Sequence, residues 1–119
     1  MRLTEFNHTV IRKGLQSGEL AIDATIGNGH DTIFLAGVTR PSGKVYGFDI
    51  QADALAKTQQ FLEVENLADN VTLHKAGHEN MDRHLPPEAR DNVTAIIFNL
   101  GYLPGGDKSC ITRKESTLK

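Results

Sequence analysis

The residues from Ala21 to Thr32, A-I-D-A-T-I-G-N-G-H-D-T, run an apolar pair into Asp23 and then into two glycines one residue apart. Gly27 and Gly29 permit a tight turn and let a ligand approach the main chain with no Cβ in the way. The N–H groups from Asn28 to Asp31 would then open a helix, where they can receive an anionic group such as a carboxylate. About 20 residues past the glycines, V-Y-G-F-D-I reaches Asp49, the interval at which an acidic side chain accepts hydrogen bonds from ribose hydroxyls. The turn is therefore a candidate for a dinucleotide pyrophosphate, for a nucleoside without phosphate, or for no ligand at all.

Thr32 stands where the dinucleotide fingerprint G-x-G-x-x-G requires its third glycine, so that fingerprint is incomplete. Asp23 and Asp31 flank the loop and would repel the oxygens of a diphosphate. A zwitterionic or cationic nucleoside suits them better. S-adenosyl-L-methionine has a ribose, an adenine, an ammonium, a carboxylate and a sulfonium, and no phosphate. A second constellation, F-N-L-G-Y-L-P-G-G-D-K-S, follows the last apolar run. Asn99 offers an amide donor and acceptor, Gly101, Pro104, Gly105 and Gly106 shape a loop, and Tyr102 presents a flat face to a base. The five histidines form no Cys/His zinc pattern with Cys110, and no metal site is expected.

These residues need elements to hold them. E-L-A-I-D-A, the run after the turn in S-G-K-V-Y-G-F-D-I, N-V-T-L-H-K-A and N-V-T-A-I-I-F-N-L read as four strands. The last is almost continuously apolar, as a central parallel strand buried on both faces should be. Helices are expected between them: H-D-T-I-F-L-A-G-V directly after the glycines, and A-D-A-L-A-K-T-Q-Q-F-L-E-V-E-N-L with Ala54, Leu55, Phe61 and Leu62 on its apolar face. Another is expected near the N-terminus, with Thr4 as N-cap and Phe6, Val10, Ile11 and Leu15 facing inward. H-E-N-M-D-R-H-L reads as a short helix or irregular segment, and Pro86 and Pro87 as a break. Alternating strands and helices imply βαβ units and a parallel sheet covered on both faces. In such sheets ligands bind beyond the carboxyl ends of the strands, where the strand order reverses. The quoted turn lies at the end of the first strand.

The chain of 119 residues makes one domain, 1–119, with 39% hydrophobic and 24% charged residues. Its net charge of −2 supplies no overall basic excess for gripping phosphates. A single cysteine excludes an internal disulfide. The N-terminal stretch has no secretory pattern, and no apolar run is long enough to span a bilayer. A cytoplasmic protein that does not enter membranes is expected.

Together, A-I-D-A-T-I-G-N-G-H-D-T, V-Y-G-F-D-I-Q, A-G-H-E-N-M and F-N-L-G-Y-L-P-G-G-D-K-S resemble the class I S-adenosylmethionine-dependent methyltransferases. More narrowly, they resemble the small bacterial rRNA methylase family, which includes tRNA methyltransferases acting on wobble 5-aminomethyl-2-thiouridine. The N-L-G-Y-L-P-G-G-D-K run is the most family-specific element. The resemblance implies a Rossmann-like α/β fold, S-adenosyl-L-methionine as cofactor and tRNA or another RNA as substrate. It places Asn28, Asp31 and Thr32 at the methionine end, Asp49 and Gln51 at the ribose, and Gly77 and His78 at the adenine. Asn99, Gly101 and Tyr102 would face the methyl group and the nucleophile, with Asn99 and Tyr102 as catalytic residues; Asp23, Gly27 and Gly29 would complete the cofactor loop.

The family's sheet continues past the fourth strand, whereas this sequence ends at I-T-R-K-E-S-T-L-K, where a helix should start. A fold lacking the C-terminal strands is therefore expected, and a fourth strand with an unpaired edge, prone to self-association. Two other functions stand beside methyl transfer to RNA: a cofactor-binding fragment or interaction module without turnover, and an NAD-dependent oxidoreductase, disfavoured by Thr32.

Overall fold

The computed structural model describes residues 11–100 and 107–112. Thr4, Phe6 and Val10 lie outside the described residues; residues 11–14 are helical, and Ile11 and Leu15 are buried. Five strands form one sheet in the order β3-β2-β1-β4-β5: β1 Leu20–Asp23, β2 Lys44–Asp49, β3 Val71–Lys75, β4 Val93–Leu100 and β5 Asp107–Thr112. The first four pair in parallel. The chain steps outward from β1 to β3 and then returns to the other side of β1, so the strand order reverses between β1 and β4.

Helix α1 (His30–Thr39) follows β1, and α2 (Ala52–Val64) follows β2. Two single-turn helices, α3 (Met81–His84) and α4 (Pro87–Arg90), lie between β3 and β4. Strand alternation sorts the apolar side chains to two faces. On one face Ala21, Val45, Val71, Ala95 and Ile97 pack with Leu35 and Ala36 of α1 and Leu62 of α2. On the other, Ile22 and Phe48 pack with Leu85 and with Ala89 of α4. Full burial of a side chain such as Leu35 or Leu62 is worth about 1.5–3 kcal/mol.

Three expectations are corrected. The edge of β4 is not unpaired: β5, which spans the end of the glycine-rich loop segment and the expected helix start, pairs with it antiparallel from Ala95–Thr112 to Leu100–Asp107. Ile111 and Thr112 thus belong to a strand and not to a starting helix, and the β4 edge on which self-association was expected is covered. Pro87 does not merely break the chain; it opens α4, where its missing N–H would have had no helical partner. In α2 the fully buried side chains are Leu62 and Thr58, whereas Phe61 is 38% exposed beneath the Lys57 ammonium. No helix among the described residues is long and apolar enough to cross a membrane.

His74 of β3 projects to the same face as Tyr46 and Phe48 of β2. Its ring stacks on Phe48 at 5.2 Å between centroids and meets that of His84 of α3 at 5.1 Å. Its buried Nε2 has no hydrogen-bond partner. Burial, and then the neighbouring His84, push its proton affinity below the ordinary imidazole value. The folded protein therefore binds this proton less tightly than the unfolded chain. The stability contributed by neutral His74 is complete above the unfolded value, about pH 6.5, and is lost as pH falls from there through the lower folded value. The urea midpoint should drop between about pH 7.5 and pH 5.5, and drop less in His74→Phe; equal drops would remove His74 as the cause.

Candidate cofactor site

β1 ends at Asp23, which lies opposite Gly47 of β2 and Ile97 of β4. Both flanking strands run further than β1. The chain leaving β1 is therefore held on both sides: Ala24 N–H donates to the Ile97 carbonyl at 2.8 Å, and Ile26 N–H to that of Phe48 at 3.0 Å. The turn then passes through two left-handed residues, Gly27 at φ +59° and Gly29 at φ +88°, which residues with a Cβ adopt only under strain. A Cβ on Gly27 would meet nothing within 4 Å, so this glycine faces open space. One on Gly29 would lie 2.6 Å from Thr58 Oγ1, so α1 can begin close against α2 only because this residue is glycine.

The two strand-end acids occupy different environments. Asp23 is fully buried, and its Oδ2 accepts the Thr32 hydroxyl at 2.7 Å. Thr32, where the third fingerprint glycine would stand, is thus the tie between the β1 end and the first turn of α1. Asp49 is half-buried at the rim. Its Oδ2 accepts Gly27 N–H at 2.9 Å and its Oδ1 accepts Gln51 N–H at 2.8 Å. Each carboxylate oxygen has a second lone pair, so Asp49 can shape the loop and still accept from a sugar hydroxyl. Ala76 N–H donates to the Asp49 carbonyl at 3.0 Å, which brings the end of β3 to the same rim.

Between these strand ends lies a cavity of about 230 Å³ lined by Ala24, Thr25, Asp49, Ile50, Ala76, Gly77 and Glu79. Its walls are largely apolar, with two carboxylates. That combination suits a flat heterocycle with a hydroxyl-bearing sugar and disfavours a diphosphate. A larger hollow of about 490 Å³, including Gly18, Ser42, Lys44 and Glu88, lies at the opposite, amino ends of the strands and shares no residue with the loop. The carboxyl-end cavity is the one at the reversal of strand order, where open α/β sheets bind ligands.

The sequence-predicted residues fall as follows. Asp49, Gly77 and the Gly27–Gly29 loop converge on the carboxyl ends of β1–β3. Asn28 is exposed, and its Oδ1 accepts His30 N–H at 3.1 Å. Gln51 is exposed and contributes its main chain to Asp49. Asp31 is 5% exposed in the first turn of α1, near the positive end of the helix dipole. His78 opens a single 3₁₀ turn, His78–Asn80, beside the cavity. Asn99 lies two residues beyond Ile97, the β4 partner of Asp23, so its main chain is at the same crevice. Gly101 and Tyr102 lie outside the described residues. Sequence reading missed Ile50, Glu79 and Thr58. Ile50, 64% exposed directly after the strand-end acid, carried a signal in being apolar at that place; Glu79 and Thr58 carried none.

Residues 45–119 match the model of the family described as "Putative rRNA methylase". The chain belongs to this family. Its sequence is 41% identical, over 98% of this chain and 45% of the relative, to a chloroplastic tRNA (mnm(5)s(2)U34)-methyltransferase of Arabidopsis thaliana. A "putative rRNA-methylase" from Clostridium thermocellum superposes with a TM-score of 0.79 at 45% identity, over 99% of this chain and 61% of that one. A "putative methyltransferase" from Streptococcus mutans, solved in complex with SAH, gives 0.74 and 41% with the same coverage. The chain thus spans less than two thirds of each. The Rossmann-like class I methyltransferase architecture expected from the sequence is the one observed, with β5 added.

The Asp23–Thr32 pair gives a direct test of how the loop is built. Thr32→Val keeps the shape but leaves a buried carboxylate oxygen without its hydroxyl donor. It should destabilise the protein by about 1.5–3 kcal/mol in urea denaturation. A wild-type midpoint would exclude this bond as the brace of the turn.

Proposed function

We propose that this chain carries the cofactor half of an S-adenosyl-L-methionine-dependent RNA methyltransferase. We further propose tRNA as its substrate and the 5-aminomethyl group of wobble 2-thiouridine as the methylated site. The observation that carries the reading is Asp49, half-buried at the end of β2, bonded to the glycine loop and lining an apolar cavity. Asp49 can accept hydrogen bonds from ribose hydroxyls, and the apolar walls of the cavity suit an adenine. Thr32, tied to Asp23, replaces the glycine a dinucleotide site needs. The family membership and the RNA-directed names of its relatives support the substrate class. The setting is wherever tRNA matures: the cytoplasm by the sequence reading, the chloroplast for the plant relative.

When bound, the cofactor supplies an already activated methyl group, so the protein's task is alignment more than activation. Asp49 orients the ribose, and the glycine loop with the N-terminus of α1 receives the methionine end. In this proposal Asn99 accepts an N–H of the substrate amine and aims its lone pair, with Tyr102 beside the base. The amine can lose its proton to water, so no strong general base is required.

Titration calorimetry with SAH and with NADH, and a radiolabelled methyl assay on tRNA with and without the 5-aminomethyl group, test the proposal. SAH binding and aminomethyl-dependent labelling are expected. NADH binding in place of SAH would favour the oxidoreductase, and SAH binding without labelling a module without turnover. Asp49→Ala should weaken SAH by about 1.5–3 kcal/mol through lost charged-acceptor bonds. The bond to Gly27 also makes the loop depend on this residue, so a stability loss of about 1 kcal/mol should accompany it. Unchanged affinity would take Asp49 out of the site.

A further inference from the structure

Thr58 of α2 is a buried polar group that the cofactor reading leaves unused. It is fully buried, and its Oγ1 has no hydrogen-bond partner among the described residues. A helical threonine commonly returns its hydroxyl to a carbonyl one turn back, as Thr39 does to Leu35 at 2.9 Å. Thr58 does not. Its oxygen is directed at the glycine loop, 2.6 Å from where a Cβ of Gly29 would stand. Gly29 is the N-cap of the ten-residue α1 and has no side chain of its own to cap it, while Asn28 Oδ1 accepts the His30 N–H at 3.1 Å. An orphan hydroxyl and the N-cap glycine therefore face each other where the turn between β1 and α1 meets α2. Valine would fill the same space without the desolvation cost of an unpaired hydroxyl.

We infer that Thr58 is a positioning residue for the glycine loop. Its hydroxyl bonds to the main chain of residues 27–29 in the ligand-bound arrangement and lacks that bond in the ligand-free one. Ligand binding is then strengthened by a bond that the free protein does not make, which is the differential interaction any ligand-driven shift requires. This inference rests on the cofactor reading above.

The test compares Thr58→Val and Thr58→Ser with the wild type, by SAH titration calorimetry and by thermal unfolding with and without SAH. Thr58→Val should unfold without ligand at the wild-type temperature or higher. Its SAH affinity should be roughly 3–10-fold lower, the loss of one neutral hydrogen bond, with a smaller SAH-induced rise in Tm. Thr58→Ser, which keeps the hydroxyl, should return the affinity to within about twofold of wild type. Wild-type affinity in Thr58→Val overturns the inference. So does equal weakening in both variants, which would mark a packing role, or a fall in the ligand-free Tm of Thr58→Val, which would mark a hydroxyl already bonded in the free protein. Failure of the wild type to bind SAH sinks the cofactor reading and this inference with it, whereas wild-type binding that Thr58→Val leaves intact sinks only the latter.

Discussion

The carboxylate of Asp49, held between Gly27 N–H and Gln51 N–H, joins the two segments from which the crevice is built. The register makes this bond possible. Asp23 closes β1 opposite Gly47, and β2 continues two residues further. That overhang lifts Asp49 to the height of the turn, where a charged acceptor meets a left-handed glycine whose N–H points outward. Without the overhang the loop after β1 would have only its own sequence to shape it, and two left-handed residues so close together are a poor guide to one conformation.

Burial divides the work between two chemically identical groups. Asp23 and Asp49 both end a strand, yet one has no exposed surface and the other stands at a rim. The buried acid spends its hydrogen-bonding capacity inside the protein, on the Thr32 hydroxyl and, at 3.3 Å, the N–H of Thr25. A buried carboxylate without such partners would be costly, so its presence is evidence that the turn is built around it. The rim acid binds backbone groups as well, and its partial exposure leaves lone pairs toward solvent. The same loop is thus stiffened from below and open from above.

The two faces of the sheet differ in the same way. The buried threonines of α1, Thr32 and Thr39, have hydrogen-bond partners, whereas Thr58 of α2, which lies against the N-cap of α1, has none among the described residues. The opposite face carries Phe48, Tyr46 and the His74–His84 pair beneath the segment that leads to the cavity wall at Gly77 and Glu79. Buried polar atoms are few among the described residues, and both side-chain atoms without a partner lie on elements that border the crevice.

The order of strands and helices, the glycine turn and the interval to Asp49 were legible in the sequence because each is a local or periodic property. A buried parallel strand reads as an apolar run, a tight turn requires glycine, and the strand-to-strand distance in a βαβ unit is nearly constant. Other features had no local signature. Asp-Lys-Ser-Cys-Ile-Thr became a strand because β4 offered it an open row of hydrogen-bonding groups, which no window of sequence contains. Phe61 lies at the surface and Thr58 inside because α2 is rotated by its packing on β3 and α1, not by its own hydrophobicity. Which aspartate is buried and which one stands at the rim was decided by a two-residue difference in strand length. The sequence by itself determined the elements and the chemical groups available at their ends; register and burial, which are long-range, decided what each group touches.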